Sequence, residues 1–227
     1  MTEIIPAIMP NTIEELESAV ALVRGAAKWV QVDVMDGKFV PERNWPFPNF
    51  ETETKPLLGE DKGLPFWQDM NYEFDLMIKT PEKFVEKFIG IGGGRIIIHY
   101  ESAENDKIWE AVRKVQGMIT EVGLAIDTTT PNDVLDEFIK DERPIDFVQF
   151  MGIAKIGYQG QPFDERVIGK IAALRAKYSD IIISVDGAVN FESAPALIEA
   201  GANRLAAGSA VFGSGDAREA IYELEDL

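Results

Sequence analysis

Ile181-Ile182-Ile183-Ser184-Val185-Asp186-Gly187 is the stretch on which the fold turns. Its first three residues are apolar in succession, not in alternation, which suits a strand covered on both faces, as in parallel sheets flanked by helices. Before it, Glu165 to Tyr178 reads as an amphipathic helix, and after it Phe191 to Ala200 reads as another, ended by Gly201. A strand set between two helices is one unit of a βα repeat. The unit recurs outward in both directions. Strands are expected at Ile4 to Met9, Trp29 to Asp33, Tyr72 to Met77, Arg95 to His99, Gly123 to Ile126, Ile145 to Phe150 and Arg204 to Ala207. Helices are expected at Thr12 to Arg24, Pro81 to Ile91, Asp106 to Val122, Asn132 to Lys140 and Asp216 to Glu225. Asn11 or Thr12 and Thr80-Pro81 read as helix starts, and Gly25 and Gly123 as stops. Eight strands alternating with helices in 227 residues predict the α/β class and a single (β/α)8 barrel over residues 1–227. A doubly wound open sheet is the competing fold.

One interval breaks the rhythm. From Asp36 to Asn71 the chain carries prolines at 41, 46, 48, 56 and 65 among Trp45, Phe47, Phe50, Phe66 and Trp67. That proline density predicts an irregular excursion with at most a short helix near Pro56 to Leu58. It reads equally as a self-packed loop or as a lid. Gly92-Gly93-Gly94 precedes a strand and reads as a helix stop, not a phosphate cradle.

The net charge of −17 and the absence of any Lys/Arg cluster argue against nucleic-acid and membrane-surface partners. With no cysteine, disulfides, thiolate nucleophiles, zinc–cysteine sites and iron–sulfur clusters are excluded. The start resembles no signal peptide and no apolar run approaches a membrane span, so a soluble, cytoplasmic protein is expected.

In a (β/α)8 barrel the site lies at the C-terminal ends of the strands. Asp33 and Asp36 close the second strand, Asp75 sits in the third and Asp186 ends the seventh. Carboxylates converging on one mouth raise one another's pKa and can serve as acid and base or hold an oxygen-preferring cation, whereas singly each can cap a helix or anchor a loop. Asp186-Gly187-Ala188 and Ala207-Gly208-Ser209 each place glycine between strand and helix, after strands seven and eight, where barrel enzymes seat phosphate. His99, the sole histidine, reads either as a hydrogen-bonded core residue or as a site residue.

The segment Val32-Asp33-Val34-Met35-Asp36-Gly37-Lys38-Phe39-Val40-Pro41 resembles the second-strand signature of the ribulose-phosphate 3-epimerases. The resemblance extends through Asp75-Leu76-Met77-Ile78, His99-Tyr100-Glu101, Thr130-Pro131, Gly157-Tyr158-Gln159-Gly160-Gln161-Pro162-Phe163, Val185-Asp186-Gly187-Ala188-Val189-Asn190 and Ala207-Gly208-Ser209-Ala210. It implies a TIM barrel of the ribulose-phosphate-binding type that inverts C3 of a ketose 5-phosphate through an enediolate. It further implies Asp33 and Asp186 as the acid/base pair, Met35, Met77 and His99 at the substrate, and Gly157, Gly160, Gly187, Ala188, Gly208 and Ser209 at the phosphate. The metal set would be Gln31, Asp33, Asp75 and Asp186, and the chain a homo-oligomer, with Trp45 and Trp67 as candidate interface residues.

Departures from the family pattern shape the expectation. Gln31 and Asp75 stand where the family has metal-ligand histidines, Pro10 stands at a serine, and Gln159 and Ala188 stand at glycines. An all-oxygen donor set suits Mg²⁺ or Mn²⁺ over Zn²⁺, and no organic cofactor is expected. Ribulose 5-phosphate/xylulose 5-phosphate epimerisation is the leading reading. An epimerase, isomerase or lyase on another sugar phosphate and a non-catalytic phosphosugar-binding homologue stay open. The Asp-x-Lys-x-x-Asp signature of related decarboxylases and hexulose-phosphate synthases is absent from Asp33 to Lys38.

Overall fold

A computed structural model describes every residue except Met1, Pro48, Glu60, Asp61, Ile119 and Gln159. Eight parallel strands close into one barrel in sequence order: β1 Glu3–Ile8, β2 Trp29–Met35, β3 Asn71–Met77, β4 Gly93–His99, β5 Glu121–Ile126, β6 Phe147–Met151, β7 Ile182–Asp186 and β8 Arg204–Ala207. The open-sheet alternative is thereby excluded, since β8 pairs with β1 from Glu3↔Arg204 to Pro6↔Ala207. The connecting helices are α1 Ile13–Val23, α2 Phe50–Thr54, α3 Val85–Gly90, α4 Asn105–Gln116, α5 Asp136–Ile139, α6 Arg166–Lys177, α7 Ala194–Ala200, α8 Ser209–Phe212 and α9 Ala217–Glu225.

Local chemistry accounts for the helix ends. The Thr12 side chain accepts from Glu15 N at 3.2 Å while Glu15 Oε2 accepts from Asn11 N at 2.7 Å, a reciprocal cap at the start of α1. Asp216 caps α9 by accepting from Arg218 N and Glu219 N. Thr80, expected to cap, makes no such bond, and Pro81–Lys83 is a 3₁₀ turn before α3.

Four expectations need correction. The helix read over 106–122 stops at Gln116, and Gly123 lies inside β5. A Cβ at Gly123 would sit 2.3 Å from the Phe147 ring, so this glycine makes room in the barrel interior instead of ending a helix. Of the Gly92 to Gly94 run, the last two open β4. The helix read from Phe191 starts at Ala194, after a turn held by Asn190 Oδ1 accepting from Glu192 N and Ser193 N.

Much of the excursion after β2 packs as barrel wall, while its Val40 packs with Met35 and Met77 at the C-terminal end. Its α2 precedes a 3₁₀ turn at Lys55–Leu57, and Trp45, Phe50 and Leu64 join the main core. Phe50 meets Phe47, Phe84 and Phe88 with ring centroids 5.2–5.5 Å apart. Trp45, 1% exposed, is thus a core residue and no interface candidate, whereas Trp67 is 47% exposed.

Inside the barrel, strand alternation stacks three kinds of layer. At the N-terminal end Glu73, Arg95 and Arg204 are buried. Above them Ile97, Ala125 and Phe147 cluster. At the C-terminal end lie Asp33, Asp75 and Asp186, with Met35, Met77 and Val40 packed together.

Candidate active site

Asp33 on β2 and Asp75 on β3 are register partners, and Asp186 closes β7. One carboxylate oxygen from each lies within 4.8 Å of the others, at 4%, 0% and 8% exposure. Gln31, two residues before Asp33 and so on the same strand face, donates Nε2–H to Asp33 Oδ1 at 2.7 Å. The four residues expected to act together are therefore brought together. His99 Nε2 is 2.8 Å from Asp75 Oδ1, and Gln149 Nε2 donates to Asp75 Oδ2 at 3.1 Å.

Dry surroundings and like charges set the protonation of this cluster. Burial first, then the charges of Asp186 and Asp75, push Asp33 well above the usual carboxylate range. Burial and the charge of Asp75 push Asp186 up to about 7. Burial alone would depress His99, but the charge and hydrogen bond of Asp75 outweigh it, and the ring is pushed up to about 9. The Gln31 Oε1 atom is buried without a hydrogen-bond partner. Three carboxylates beside an unpartnered amide oxygen fit a hard divalent cation.

A cavity of about 420 Å³ opens over the cluster. Asp33, Asp186 and Met77 line it, as do all six expected phosphate residues, Gly157, Gly160, Gly187, Ala188, Gly208 and Ser209. No Lys or Arg is among its described lining residues, so backbone N–H groups are the donors available to an anion there. Met35 lines a neighbouring cavity of about 320 Å³ with Asn44 and Arg43. His99 is fully buried and lines neither cavity, and its ring is tied to Asp75 beneath them. Gln159 lies outside the described residues.

The turn after β7 is strained. Gly187 takes φ +101, where a Cβ would also press on Ile153 at 2.9 Å. Ala188 follows at φ +53, a left-handed conformation that favours glycine, so alanine carries a physical cost there. Its carbonyl accepts from Ser193 Oγ at 2.9 Å and Asn190 Nδ2 at 3.2 Å, two bonds that hold it there.

Sequence reasoning missed two supports. Asn44 accepts from Met35 N at 2.8 Å and donates Nδ2–H to the Asp33 carbonyl at 2.7 Å, clamping the end of β2 from within the excursion. Nothing in the sequence distinguishes Asn44 from other loop polar residues. Gln149 was findable, because it sits between Phe147 and Met151 and is polar in an otherwise apolar strand.

Comparison with known proteins follows this geometry. Residues 3–212 match the sequence profile of the Ribulose-phosphate 3 epimerase family. The chain belongs to that family. The ribulose-phosphate 3-epimerase of Eremothecium gossypii is 31% identical, with 98% of this chain and 91% of the relative covered. That of Bacillus subtilis is 30% identical over 96% and 92%. A crystal structure of a 3-hexulose-6-phosphate synthase superposes with a TM-score of 0.70 at 19% identity, covering 99% of this chain and 98% of the other, a likeness of fold.

Proposed function

We propose that the chain interconverts D-ribulose 5-phosphate and D-xylulose 5-phosphate by proton transfer at C3. The observation that carries this reading is that Asp33 and Asp186, from strands separated by β1 and β8, line one cavity together with the turns after β7 and β8. In this reading one ionised carboxyl removes the C3 proton, and the electron pair moves into the C2 carbonyl to give an enediolate. The other carboxyl, still protonated, delivers its proton to the opposite face of C3. Carboxyl groups raised towards neutrality suit both roles at pH 7.

Backbone N–H groups of the turns at Gly157, Gly160, Gly187, Ala188, Gly208 and Ser209 hold the phosphate. Met35 and Met77 form an apolar wall beside the reacting carbons and keep water from the enediolate. Asp33, Asp75, Asp186 and the Gln31 amide oxygen would hold Mg²⁺ or Mn²⁺ in preference to Zn²⁺, and such an ion supplies positive charge next to the enediolate oxygens. Asn44 and His99 position Asp33 and Asp75. A homo-oligomer and a cytoplasmic location belong to the same proposal. Light scattering checks the first, and among the described residues no helix is long and apolar enough to cross a membrane.

The test is proton exchange. Metal-stripped protein is incubated with ribulose 5-phosphate in D2O, with and without Mg²⁺, Mn²⁺ or Zn²⁺, and C3 is followed by NMR. Deuterium at C3 with formation of xylulose 5-phosphate is expected. Exchange in a different phosphosugar only would favour the second reading, an enzyme for another sugar phosphate, which the changed Gln31 and Asp75 support. Binding without exchange in any phosphosugar would leave a phosphosugar-binding homologue.

A further inference from the structure

Apart from the three aspartates, one other group of described side chains comes together with metal-binding spacing. A ring nitrogen of His99 and a carboxylate oxygen each from Glu101 and Asp127 lie within 4.8 Å of one another. We propose that His99, Glu101 and Asp127 form a second divalent-cation site, at the ends of β4 and β5, that takes a nitrogen-tolerant ion such as Zn²⁺.

Three buried atoms carry the argument. His99 Nδ1, Glu101 Oε2 and Asp127 Oδ1 each lack any hydrogen-bond partner, and His99 is 0% exposed. A buried polar atom without a partner is costly, so three on clustered side chains point to a common ligand. The rest of the His99 and Glu101 side chains is anchored so as to present that atom. His99 Nε2 is held at 2.8 Å by Asp75 Oδ1. A carboxylate accepting from one ring nitrogen orients metal-ligating histidines, and a cation that displaces the Nδ1 proton takes the lone pair it frees. Glu101 Oε1 accepts from Asp127 N at 2.9 Å and from the Thr130 hydroxyl, which turns Oε2 away from both.

Charge points the same way. Neither Glu101 nor Asp127 is ion-paired with Lys or Arg among the described residues. The nearby Lys170 Nζ donates instead to the main-chain oxygens of Asp127, at 2.9 Å, and Thr130. Burial and the charge of Glu101 push the Asp127 carboxyl above its usual value, as expected where two carboxylates face each other without a bound cation. An imidazole nitrogen with two carboxylate oxygens suits Zn²⁺ or Mn²⁺, whereas the all-oxygen set around Asp33 suits Mg²⁺. None of the three residues lines the substrate cavity, and the site touches the epimerase centre only through the His99–Asp75 hydrogen bond.

The lone histidine gives a clean readout. Uniformly ¹⁵N-labelled protein is saturated with Mg²⁺ and titrated with Zn²⁺, and the single imidazole is followed by long-range ¹H–¹⁵N NMR. The expected result is a metal-bound shift at Nδ1 with Nε2 still protonated, at one Zn²⁺ per chain by calorimetry. Asp127→Asn and Glu101→Gln should each weaken that event by at least roughly 10-fold, with circular dichroism unchanged. Retention of the Zn²⁺-induced shift at full affinity in the double variant would overturn the proposal, as would zinc that leaves Nδ1 unmoved. Should one variant fail to fold, the other and the wild-type titration still decide.

Discussion

At the N-terminal end of the barrel Arg95 and Arg204 stand among Glu3, Glu73 and Glu121, while at the C-terminal end Asp33, Asp75 and Asp186 face one another with no Lys or Arg paired to them among the described residues. The three aspartates are buried, as are Glu73, Arg95 and Arg204, whereas Glu3 and Glu121 are partly exposed. Arg95 bonds Glu73 at 3.1 Å and Glu121 at 3.0 Å and stacks its guanidinium 3.7 Å from the centre of the Trp29 ring. Even so, burial outweighs Arg95 and pushes Glu73 up to about 7. The lower layer closes the barrel with matched charge. The upper layer leaves negative charge unmatched, which destabilises the protein alone and suits a site that a cation and a substrate complete.

The largest effect that sharpens this contrast is on turnover. Asp33→Asn and Asp186→Asn are expected to slow C3 exchange by ~10²–10⁴-fold, with phosphosugar binding retained, as NMR exchange rates would report. Next comes Arg95→Met, which strands Glu73 and is expected to cost about 3–5 kcal/mol in urea unfolding. Adding Glu73→Gln should restore part of that loss, and a fully stable single variant would break the comparison.

The upper layer predicts the opposite sign. Because the native protein holds on Asp186 a proton that the unfolded chain releases near pH 4, this carboxyl lowers stability as pH rises from about 4 to about 7, and Asp33 acts in the same direction. Asp186→Asn removes that loss. The variant should match wild type near pH 4 and exceed it by on the order of 1–3 kcal/mol at pH 7.5, and Mg²⁺ should narrow the gap by binding wild type. The smallest expected effect is Ala188→Gly, which relieves the left-handed strain against glycine's greater unfolded-state entropy, a net gain of about 0.5–1 kcal/mol. Differential scanning calorimetry would show it as a slight rise in Tm.

The strands were readable because residues buried on both faces must be apolar in succession, as in Ile96 to Ile98 and Ile181 to Ile183. The helix read through Val122 was misjudged because Gly123 looks the same whether it ends a helix or yields space to a ring from the next strand, and Phe147 is 24 positions away. Trp45 was misjudged for a similar reason: a tryptophan among prolines carries no local mark of the core it joins.

The sequence by itself determined the eight βα units, the strand ends that bear Asp33, Asp75 and Asp186, and the glycine turns after β7 and β8, because these follow from periodicity and motif spacing, whereas the pairing of β8 with β1 decided that the sheet closes. Tertiary structure alone decided that Asn44 clamps the end of β2, that His99 serves Asp75 beneath the cavity, and that Glu101 and Asp127 share a centre with it. Those relations are contacts between residues distant in sequence or on different strands, fixed by barrel register and side-chain direction. No pattern local to any one segment encodes them.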